Sequence, residues 1–368
     1  MNLIQSSTKA QFLIFIAGAM ALSSCIKTPT QNESVEVADT AITVVKKVPI
    51  SQPLVSHIYT ADPSAHIFDG KIYIYPSHDI DAGVPENDNG DHFAMNDYHI
   101  LSMSAIDGEV TDHGVALDIK DIPWAGRQLW APDAAFTNNT YYLYFPVKDK
   151  SDIFKIGVAT SKSPAGPFVA EKEPIAGSYS IDPAVFKDDD GSYYMYFGGI
   201  WGGQLQFWNN NQYDSKSTLR KDGETAILPR VTQLSKDMKK FTEEVKEVKL
   251  LDEKGNAFTE NQNDKRFFEA AWVHKYHGKY YFSYSTGDTH LINYAIGDSP
   301  YGPFTYKGIV LQPVEGWTNH HSIAEFNGKW YLFYHDVQLS GKTHLRNIKV
   351  TELIHNEDGS IQTVTPYK

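Results

Sequence analysis

The sequence of 368 residues has very little cysteine, no excess of positive charge and no apolar run long enough to span a membrane. Cys25 is its single cysteine, which excludes a disulfide within the chain. The formal net charge of −12 at pH 7 argues against a nucleic-acid partner, which normally meets a basic face. The apolar run Phe12–Leu22 has eleven residues, whereas a spanning helix needs about 20. We therefore expect neither nucleic-acid binding nor a stable transmembrane anchor.

The N-terminus has the pattern of a processing signal. Lys9 precedes the apolar run, and the run ends in Leu-Ser-Ser-Cys, which resembles the lipobox of bacterial lipoproteins. This predicts a lipoprotein signal peptide over 1–24, with Cys25 lipid-modified as the first mature residue. Residues 25–50 show no clear period and are interpreted as a tether, followed by one folded domain over 51–368. The chain is then exported and faces the periplasm or the cell surface from a lipid anchor. An ordinary secretory peptide with a chance cysteine near the cut is the alternative.

Aromatic residues are abundant and recur in one phrase. The chain has 7 Trp, 22 Tyr and 19 Phe. An apolar strand, a polar turn and an aromatic-rich strand follow each other five times, which predicts five β-hairpins. The hairpins cover 65–77, 134–146, 184–199, 271–285 and 322–336.

The spacing of these hairpins indicates the architecture. Aligned on Tyr73, Tyr142, Tyr194, Tyr281 and Tyr331, they lie 69, 52, 87 and 50 residues apart. Five units in 51–368 leave about 64 residues each, which is enough for a four-stranded blade. We therefore predict an all-β fold, a five-bladed β-propeller. A two-sheet sandwich would account for many strands but not for five matching hairpins.

One position of the repeat carries unusual side chains. Eleven or twelve residues before the aligned tyrosines stand Asp62, Trp130, Asp182, Glu269 and His320. Equivalent positions of propeller blades share one radius and height, so these side chains should converge at one end of the axis. Apolar or small residues normally occupy such positions, and three carboxylates, an indole and an imidazole indicate a functional site instead.

The sequence around the three carboxylates supports a chemical role. Asp62 and Asp182 both precede proline, which we expect to hold them extended at the start of an innermost strand. Glu269 lies within an apolar run after Phe268. A glutamate in such a run must be paired, protonated or functional. Desolvation should raise its pKa.

Five segments together resemble glycoside hydrolase family 43. They are ADPSAHIFDGKIYIY, LWAPDAAF, YSIDPAVF, FFEAAWVHKYHGKYYFSYS and HHSIAEFNGKWYLFYHD, and the resemblance covers about 55–352. It implies a five-bladed propeller acting on arabinose- and xylose-containing polysaccharides. It also implies that Asp62 is the general base, Glu269 the general acid, and Asp182 the carboxylate that tunes and orients the acid.

Other residues are candidates for binding. Trp130 and Trp272 could each offer a flat face to a sugar ring, with packing in the core as the alternative for both. The resemblance implies that Arg346 approaches the site, although an exposed strand arginine is equally compatible with the sequence. It also implies a calcium ion on the axis, held by His320 and not required for the chemistry. A plain hydrogen-bonding histidine is the alternative there, since Ca²⁺ prefers oxygen ligands.

The sequence thus predicts an inverting glycoside hydrolase. Its expected substrates are α-L-arabinofuranosyl or β-D-xylosyl linkages in plant hemicellulose and pectin, cleaved from chain ends. An endo-acting arabinanase or xylanase and a non-catalytic glycan-binding lipoprotein are the alternatives. A fructan-cleaving propeller would need Arg-Asp-Pro, whereas this chain has Ala-Asp-Pro and Ile-Asp-Pro. We expect a monomer whose partner is an oligo- or polysaccharide and whose only membrane contact is the lipid anchor.

Overall fold

The computed structural model describes residues 51–366. The predicted signal peptide (1–24) and tether (25–50) lie outside these residues. No helix within the described part of the chain is long and apolar enough to cross a membrane.

The described residues form five sheets and a small extra hairpin. Blade 1 consists of β1 (Tyr59–Phe68), β2 (Lys71–Asp79), β3 (Asp97–Met103) and β4 (Val110–Asp118). Blade 2 consists of β5 (Ala125–Leu129), β6 (Asp133–Thr137), β7 (Thr140–Asp149), β8 (Phe154–Ser161) and β9 (Val169–Ala170). Blade 3 begins with β10 (Ala184–Lys187) and β11 (Tyr193–Phe197). The extra hairpin, β12 (Trp208–Asn209) and β13 (Gln212–Tyr213), precedes its outer strands β14 (Arg230–Gln233) and β15 (Lys246–Glu247).

The last two blades follow the same plan. Blade 4 consists of β16 (Leu250–Leu251), β17 (Glu269–Tyr276), β18 (Lys279–Ser285), β19 (Ile292–Gly297) and β20 (Phe304–Leu311). Its β16 lies parallel to β20 at the outer edge, while the other neighbours are antiparallel. Blade 5 consists of β21 (His321–Phe326), β22 (Lys329–Asp336) and β23 (Asn347–Leu353). Three short 3₁₀ turns complete the list: Ile119–Asp121, Trp201–Gly203 and Leu205–Phe207.

The five inner strands form a closed ring. β1 contacts β6, β6 contacts β10, β10 contacts β17, β17 contacts β21, and β21 contacts β1. These are the first strands of the five predicted hairpins, and each is paired antiparallel with the second. The prediction of a five-bladed β-propeller is therefore confirmed.

The hydrophobic core lies between neighbouring blades rather than within one layer. In β2, Tyr73 and Tyr75 pack towards blade 2, while Ile72 and Ile74 pack in a cluster shared with blade 5. Successive side chains of a strand point to opposite faces. Because both faces of a blade are covered, its strands are apolar on both sides, which accounts for the many aromatic residues of the repeat.

The ring is closed by the segment that precedes β1. The backbone N–H of Ser51 donates to Val350 O (2.8 Å), and that of Leu54 donates to Ile348 O (2.9 Å). Leu54 is also buried in the cluster between blades 1 and 5. The start of the described chain therefore completes the last blade beside β23, which ties the two ends of the propeller together.

Candidate active site

A cleft of about 250 Å³ lies at the end of the ring where the inner strands begin. Its lining includes all five residues of the matching repeat position: Asp62, Trp130, Asp182, Glu269 and His320. The repeat alignment thus predicted which side chains meet at the axis. The rest of the wall comes from loops between strands, including the acidic segment Glu86–Asp88 and the aromatic residues Phe93, Trp201 and Trp317.

A β-bulge directs Asp62 into this cleft. The register of β1 against β2 shifts between Ala61 and Ser64. A bulge bends its strand and can re-aim a side chain. The buried Asp62 accepts a hydrogen bond at Oδ2 from the Ser77 hydroxyl (2.7 Å) and one at Oδ1 from Arg346 Nη1 (2.9 Å). Both carboxylate oxygens are therefore held in place.

The backbone of the two Asp-Pro pairs differs from our expectation. Asp62 has φ +50° and Asp182 has φ +56°, so neither residue is extended as predicted. Proline disfavours the right-handed helical region for the residue before it. The left-handed region remains accessible, and aspartate adopts it more readily than most residues. Such unusual backbone angles persist only where the surroundings enforce them, commonly at active sites.

The charges around Asp62 keep it ionised. Burial alone would raise its pKa, but Arg346 and His320 hold the pKa of Asp62 well below its usual value. The backbone N–H of Asp62 donates to His335 Nδ1 (3.0 Å), so this nitrogen is an acceptor. A carboxylate that stays ionised is the form that can accept a proton from water.

The surroundings of Glu269 have the opposite effect, because they favour its protonated form. It is the first residue of β17, where a register shift lies between Glu269 and Trp272. Its neighbours in the chain are apolar, and a Cβ added at Gly199 would stand 3.2 Å from Glu269 Cβ. Burial, followed by the charge of Asp182, raises the pKa of Glu269 to about 8. The side chain is therefore protonated at neutral pH, which is the form a general acid requires.

Asp182 interacts with both of these carboxyl groups. Its Oδ2 accepts a hydrogen bond from the backbone N–H of Ala270 (2.8 Å), the residue that follows Glu269. Burial raises the pKa of Asp182 to about 6, with His320 opposing and Asp62 adding to the rise. Asp182 thus anchors the backbone beside Glu269 and adds the negative charge that favours its protonated form.

Arg346 is neither exposed nor free. Its Nε and Nη2 donate to the two carboxylate oxygens of Asp79, each at 2.8 Å, and its Nη1 donates to Asp62. The guanidinium lies over the ring of Phe93, 4.9 Å from the centroid. Bidentate pairing of this kind fixes orientation as well as charge. Arg346 lines the cleft, and its contacts position Asp62. A direct contact between Arg346 and the substrate stays a prediction.

His320 faces carboxylates rather than a set of calcium ligands. Its Nδ1 lies 3.5 Å from Asp62 Oδ1 and 3.9 Å from Asp182 Oδ2. Ca²⁺ takes six to eight oxygen ligands, while His320 offers nitrogen and both carboxylates already accept other hydrogen bonds. These residues alone do not fit a calcium site.

The two tryptophans proposed for sugar binding have different surroundings. Trp130 lines the cleft, with its indole N–H donating to Phe93 O (2.9 Å) and its ring packed on Phe154. Trp272 lies in the buried cluster between blades 4 and 5, where its indole N–H donates to Ile323 O (3.1 Å). Trp272 therefore packs the hairpin instead of facing substrate. The physical reason is strand alternation: Glu269 points to the axis, whereas Trp272, beyond the bulge, points between blades.

Sequence reasoning missed Trp201 and Trp317, two aromatic residues of the cleft. They form an aromatic cluster with Phe268, with ring centroids 5.4–5.5 Å apart. Trp201 follows the third hairpin, and Trp317 lies three residues before His320. Their proximity in the sequence to the matching segments was the signal that could have identified them. His335, at the end of the fifth hairpin, was also missed. Its Nε2 lies 3.1 Å from Thr318 O, which suits donation there while Nδ1 accepts from Asp62.

One ionised and one protonated carboxyl group facing the same cleft are the pair that glycoside hydrolysis by inversion requires, so the site is that of a glycoside hydrolase. The family model for "Glycosyl hydrolases family 43" matches residues 50–361. The chain belongs to this family.

Relatives of known description agree with this membership. The chain is 59% identical to a xylosidase/arabinosidase of Bacteroides ovatus, over 84% of this chain and 96% of that protein. It is 59% identical to xylosidase/arabinosidase 43A of Humicola insolens, over 85% and 99%. It is 52% identical to a β-xylosidase of Xylanibacter ruminicola, over 83% and 97%.

Solved structures are similar in fold as well as sequence. One is a family 43 β-xylosidase/α-arabinofuranosidase from a compost microbial metagenome, solved in complex with xylotriose in a calcium-free form. It has a TM-score of 0.86 and 70% identity, covering 88% of this chain and 99% of that one. A family 43 enzyme of Xanthomonas citri has a TM-score of 0.83 and 56% identity, covering 87% and 95%.

Proposed function

We propose that this glycoside hydrolase releases single β-D-xylosyl or α-L-arabinofuranosyl residues from the ends of xylan- or arabinan-derived oligosaccharides, with inversion at the anomeric carbon. The observation that carries the proposal is the opposite tuning of Asp62 and Glu269 within one cleft. The names of the relatives, which include xylosidases and arabinosidases, support a pentose as the sugar.

The mechanism follows from these protonation states. Glu269 donates its proton to the leaving glycosidic oxygen, while Asp62 removes a proton from the water that attacks the anomeric carbon from the opposite face. The bond between the anomeric carbon and the leaving oxygen breaks as the bond to water forms, so the configuration inverts. After turnover Asp62 holds a proton and Glu269 is charged, and exchange with solvent restores both.

Action at chain ends is supported by the wall of the cleft. The backbone of Gly202 lies so close to Asn89 that an added Cβ would stand 2.8 Å from its carbonyl oxygen. The loop between β2 and β3 thus packs against the loop that follows β11. Gly90 in the same loop packs against Trp130. A groove for the middle of a long chain must be open at both ends, whereas these contacts wall off one side.

The reaction can be tested with aryl α-L-arabinofuranoside, β-D-xyloside and β-galactofuranoside, with the anomer of the product followed by NMR. We expect turnover of one or both pentosides and initial release of the inverted anomer. In Glu269→Gln, turnover of xylobiose should fall by about 10²–10⁴, the usual contribution of a general acid. Binding of xylobiose, measured by calorimetry, should persist.

The matched control is Glu86→Gln, which changes an exposed carboxyl group of the same cleft and should retain most of the activity. Retention of configuration would contradict the base-and-water mechanism. Cleavage in the middle of long arabinan or xylan chains would indicate the endo-acting alternative. Binding without turnover of any pentoside would indicate a glycan-binding protein.

An axial calcium ion in contact with His320 stays a hypothesis outside this mechanism. The calcium-free description of the metagenome enzyme supports testing it. The measurement is kcat/KM after dialysis against a chelator and after addition of Ca²⁺, in the wild type and in His320→Gln. A calcium effect that the variant keeps in full would separate the ion from His320.

We also propose that the protein is exported and held at a membrane by a lipid on Cys25. The support is the lipobox-like Leu-Ser-Ser-Cys after an apolar run of signal-peptide length. Fractionation of cells that express the wild type and Cys25→Ala tests the proposal. The wild type should sediment with membranes, and the variant should lose this attachment. Equal distribution of both would contradict lipid anchoring at this residue.

A further inference from the structure

A second group of chemically active side chains lies in blade 1, on β2 and β3 rather than on the inner strand. His78 lies on β2, and Asp97 and His99 lie two residues apart on β3, so they share one face of that strand. One ligand atom from each of the three lies within 4.8 Å of the others. Among residues 51–366 this is the one group of three or more metal-ligand side chains that meet so closely.

The contacts within this group resemble those of a metal site without its ion. His78 Nδ1 lies 2.6 Å from Asp97 Oδ1, and the rings of His78 and His99 have centroids 4.8 Å apart. His78, Asp97 and His99 have side chains that are only 17, 21 and 15% exposed. They are shielded, yet a small ion has access. Two imidazoles and one carboxylate form a ligand set that zinc commonly uses.

An outer carboxylate completes the arrangement. Asp112, on β4, lies 2.9 Å from His99 Nδ1 through its Oδ1 and 2.7 Å from His57 Nε2 through its Oδ2. A histidine that binds a metal through one nitrogen usually donates the N–H of the other to a carboxylate, which fixes tautomer and ring orientation. Asp112 has this relation to His99, and it also links the group to the segment that closes the propeller.

We propose that His78, Asp97 and His99 bind one divalent transition-metal ion, zinc, with Asp112 as the outer carboxylate of His99 and water completing the coordination. Zinc–ligand bonds of about 2.0–2.2 Å place two ligands of a tetrahedral site about 3.3–3.5 Å apart. The 2.6 Å between His78 Nδ1 and Asp97 Oδ1 therefore has to open to this spacing. A separation at the 4.8 Å limit of the group has to close by about 1.3–1.5 Å. The ion is structural: it joins β2 to β3 and, through Asp112, the segment around His57.

Zinc binding to the metal-stripped protein tests the proposal directly. We expect calorimetry to find one equivalent of zinc per chain and the midpoint of thermal unfolding to rise with zinc concentration. His78→Gln and His99→Gln should each weaken binding by at least about tenfold. Ca²⁺ and Mg²⁺, which prefer oxygen ligands, should not raise the midpoint through these residues.

Two control variants locate the ion. His113→Gln changes a histidine of the same sheet that contacts Ser102 instead of this group, and it should bind zinc as the wild type does. His320→Gln changes the histidine of the catalytic cleft, and it should also keep the site. Zinc binding lost in His320→Gln but kept in His78→Gln would place the ion in the cleft and overturn the proposal.

A spectroscopic measurement covers the case in which a variant fails to fold. X-ray absorption at the zinc edge of the wild-type complex should show only nitrogen and oxygen neighbours, with the scattering pattern of two imidazoles. A site with no imidazole, or binding that is not saturable at one equivalent, would contradict the assignment. Enzyme activity does not serve as the readout. Asp79 lies next to His78 and accepts a hydrogen bond from Arg346, so a change at His78 also acts on the catalytic cleft.

Discussion

At the scale of single residues, the site separates the pKa values of side chains whose intrinsic values are similar. Arg346 and His320 outweigh the effect of burial on the pKa of Asp62, whereas burial and the nearby Asp182 raise the pKa of Glu269. Pairs of titratable groups pushed apart in this way identify the acid and the base of an enzyme. The roles therefore follow from the surroundings of each carboxyl group more than from its residue type.

Removal of the Asp182 charge should move the upper limb of the pH–activity profile. In the wild type, kcat/KM should fall as pH rises through about 8, where Glu269 loses its proton. Asp182→Asn removes a like charge, so Glu269 should ionise more easily and the limb should shift down by about one pH unit. The pH dependence of kcat/KM measures this. Asp88→Asn, an exposed position in the cleft lining, should leave the limb in place, and an upward shift in Asp182→Asn would contradict the coupling.

Stability should also depend on the proton of Glu269. Between about 4.5, the ordinary pKa, and about 8, the folded state holds a proton that the unfolded state has lost. The unfolding free energy of the wild type therefore decreases as pH rises through this window. Glu269→Gln has no such proton, so its advantage over the wild type should grow from near zero at pH 4.5 to about 1–3 kcal/mol at pH 8.

Urea unfolding at several pH values measures this difference. Glu86→Gln, at an exposed position of the same cleft, is the control for the loss of one negative charge. A Glu269→Gln advantage that shrinks as pH rises would show that the folded state favours the charged form of Glu269.

At the scale of elements, the start of β17 depends on close packing from the chain that follows β18. Gly287 has φ +72°, and an added Cβ would stand 2.3 Å from the ring of Phe268. Phe268 precedes Glu269 and lies against Trp201 and Trp317. The position of Glu269, the proposed general acid, therefore relies on a glycine outside the five matching segments.

Gly287→Ala should displace Phe268 and with it Glu269. We expect kcat/KM to fall at least about tenfold, since displacements near 1 Å are costly to catalysis. Overpacking should lower the unfolding free energy by about 1–3 kcal/mol beyond the backbone strain. Enzyme assays and urea unfolding measure both effects.

Gly278→Ala is the matched control for this prediction. Gly278, in the β17–β18 turn, has φ +75° but nothing within 4 Å of an added Cβ. It carries similar backbone strain, of about 1–2 kcal/mol, without the steric contact. Equal loss of activity in both variants would show that backbone strain, and not the displacement of Phe268, causes the loss.

At the scale of the whole molecule, the stability of the propeller depends on the contacts that close its ring of blades. The closure here uses the backbone of Ser51 and Leu54 beside β23, together with the buried Leu54 side chain. Asp133 of β6 adds a polar link between blades. This buried carboxylate accepts hydrogen bonds from the Ser64 hydroxyl of blade 1 and from the backbone N–H of Val185 in β10 of blade 3.

Leu54→Ala should weaken the closure. Loss of a buried leucine side chain costs about 2–5 kcal/mol of unfolding free energy. Leu339→Ala changes a leucine that is 38% exposed and should cost within about 0.5 kcal/mol. Urea unfolding of the two variants gives the comparison. A Leu54→Ala loss no larger than that of Leu339→Ala would show that the ring does not depend on this contact.

The sequence by itself determined the repeat, and through it the fold and the set of carboxylates. The alternation within each hairpin is a local property, and matching positions of a repeat must meet around the axis, so Asp62, Asp182 and Glu269 could be identified from spacing. The resemblance to a known family then supplied their expected roles.

The tertiary structure alone decided how those residues are tuned and which neighbours share the cleft. Asp62 and Arg346 are 284 residues apart in the chain, and no local pattern encodes such a pair. Trp130, at the repeat position, and Trp272, outside it, were both sugar-binding candidates in the sequence. The structure leaves Trp130 in the cleft, whereas a bulge and strand alternation turn Trp272 between blades. The left-handed backbone of Asp62 and Asp182 likewise depends on contacts from several blades. Local pattern therefore determines the elements, whereas the pKa values arise from charges and burial brought together only by closure of the ring.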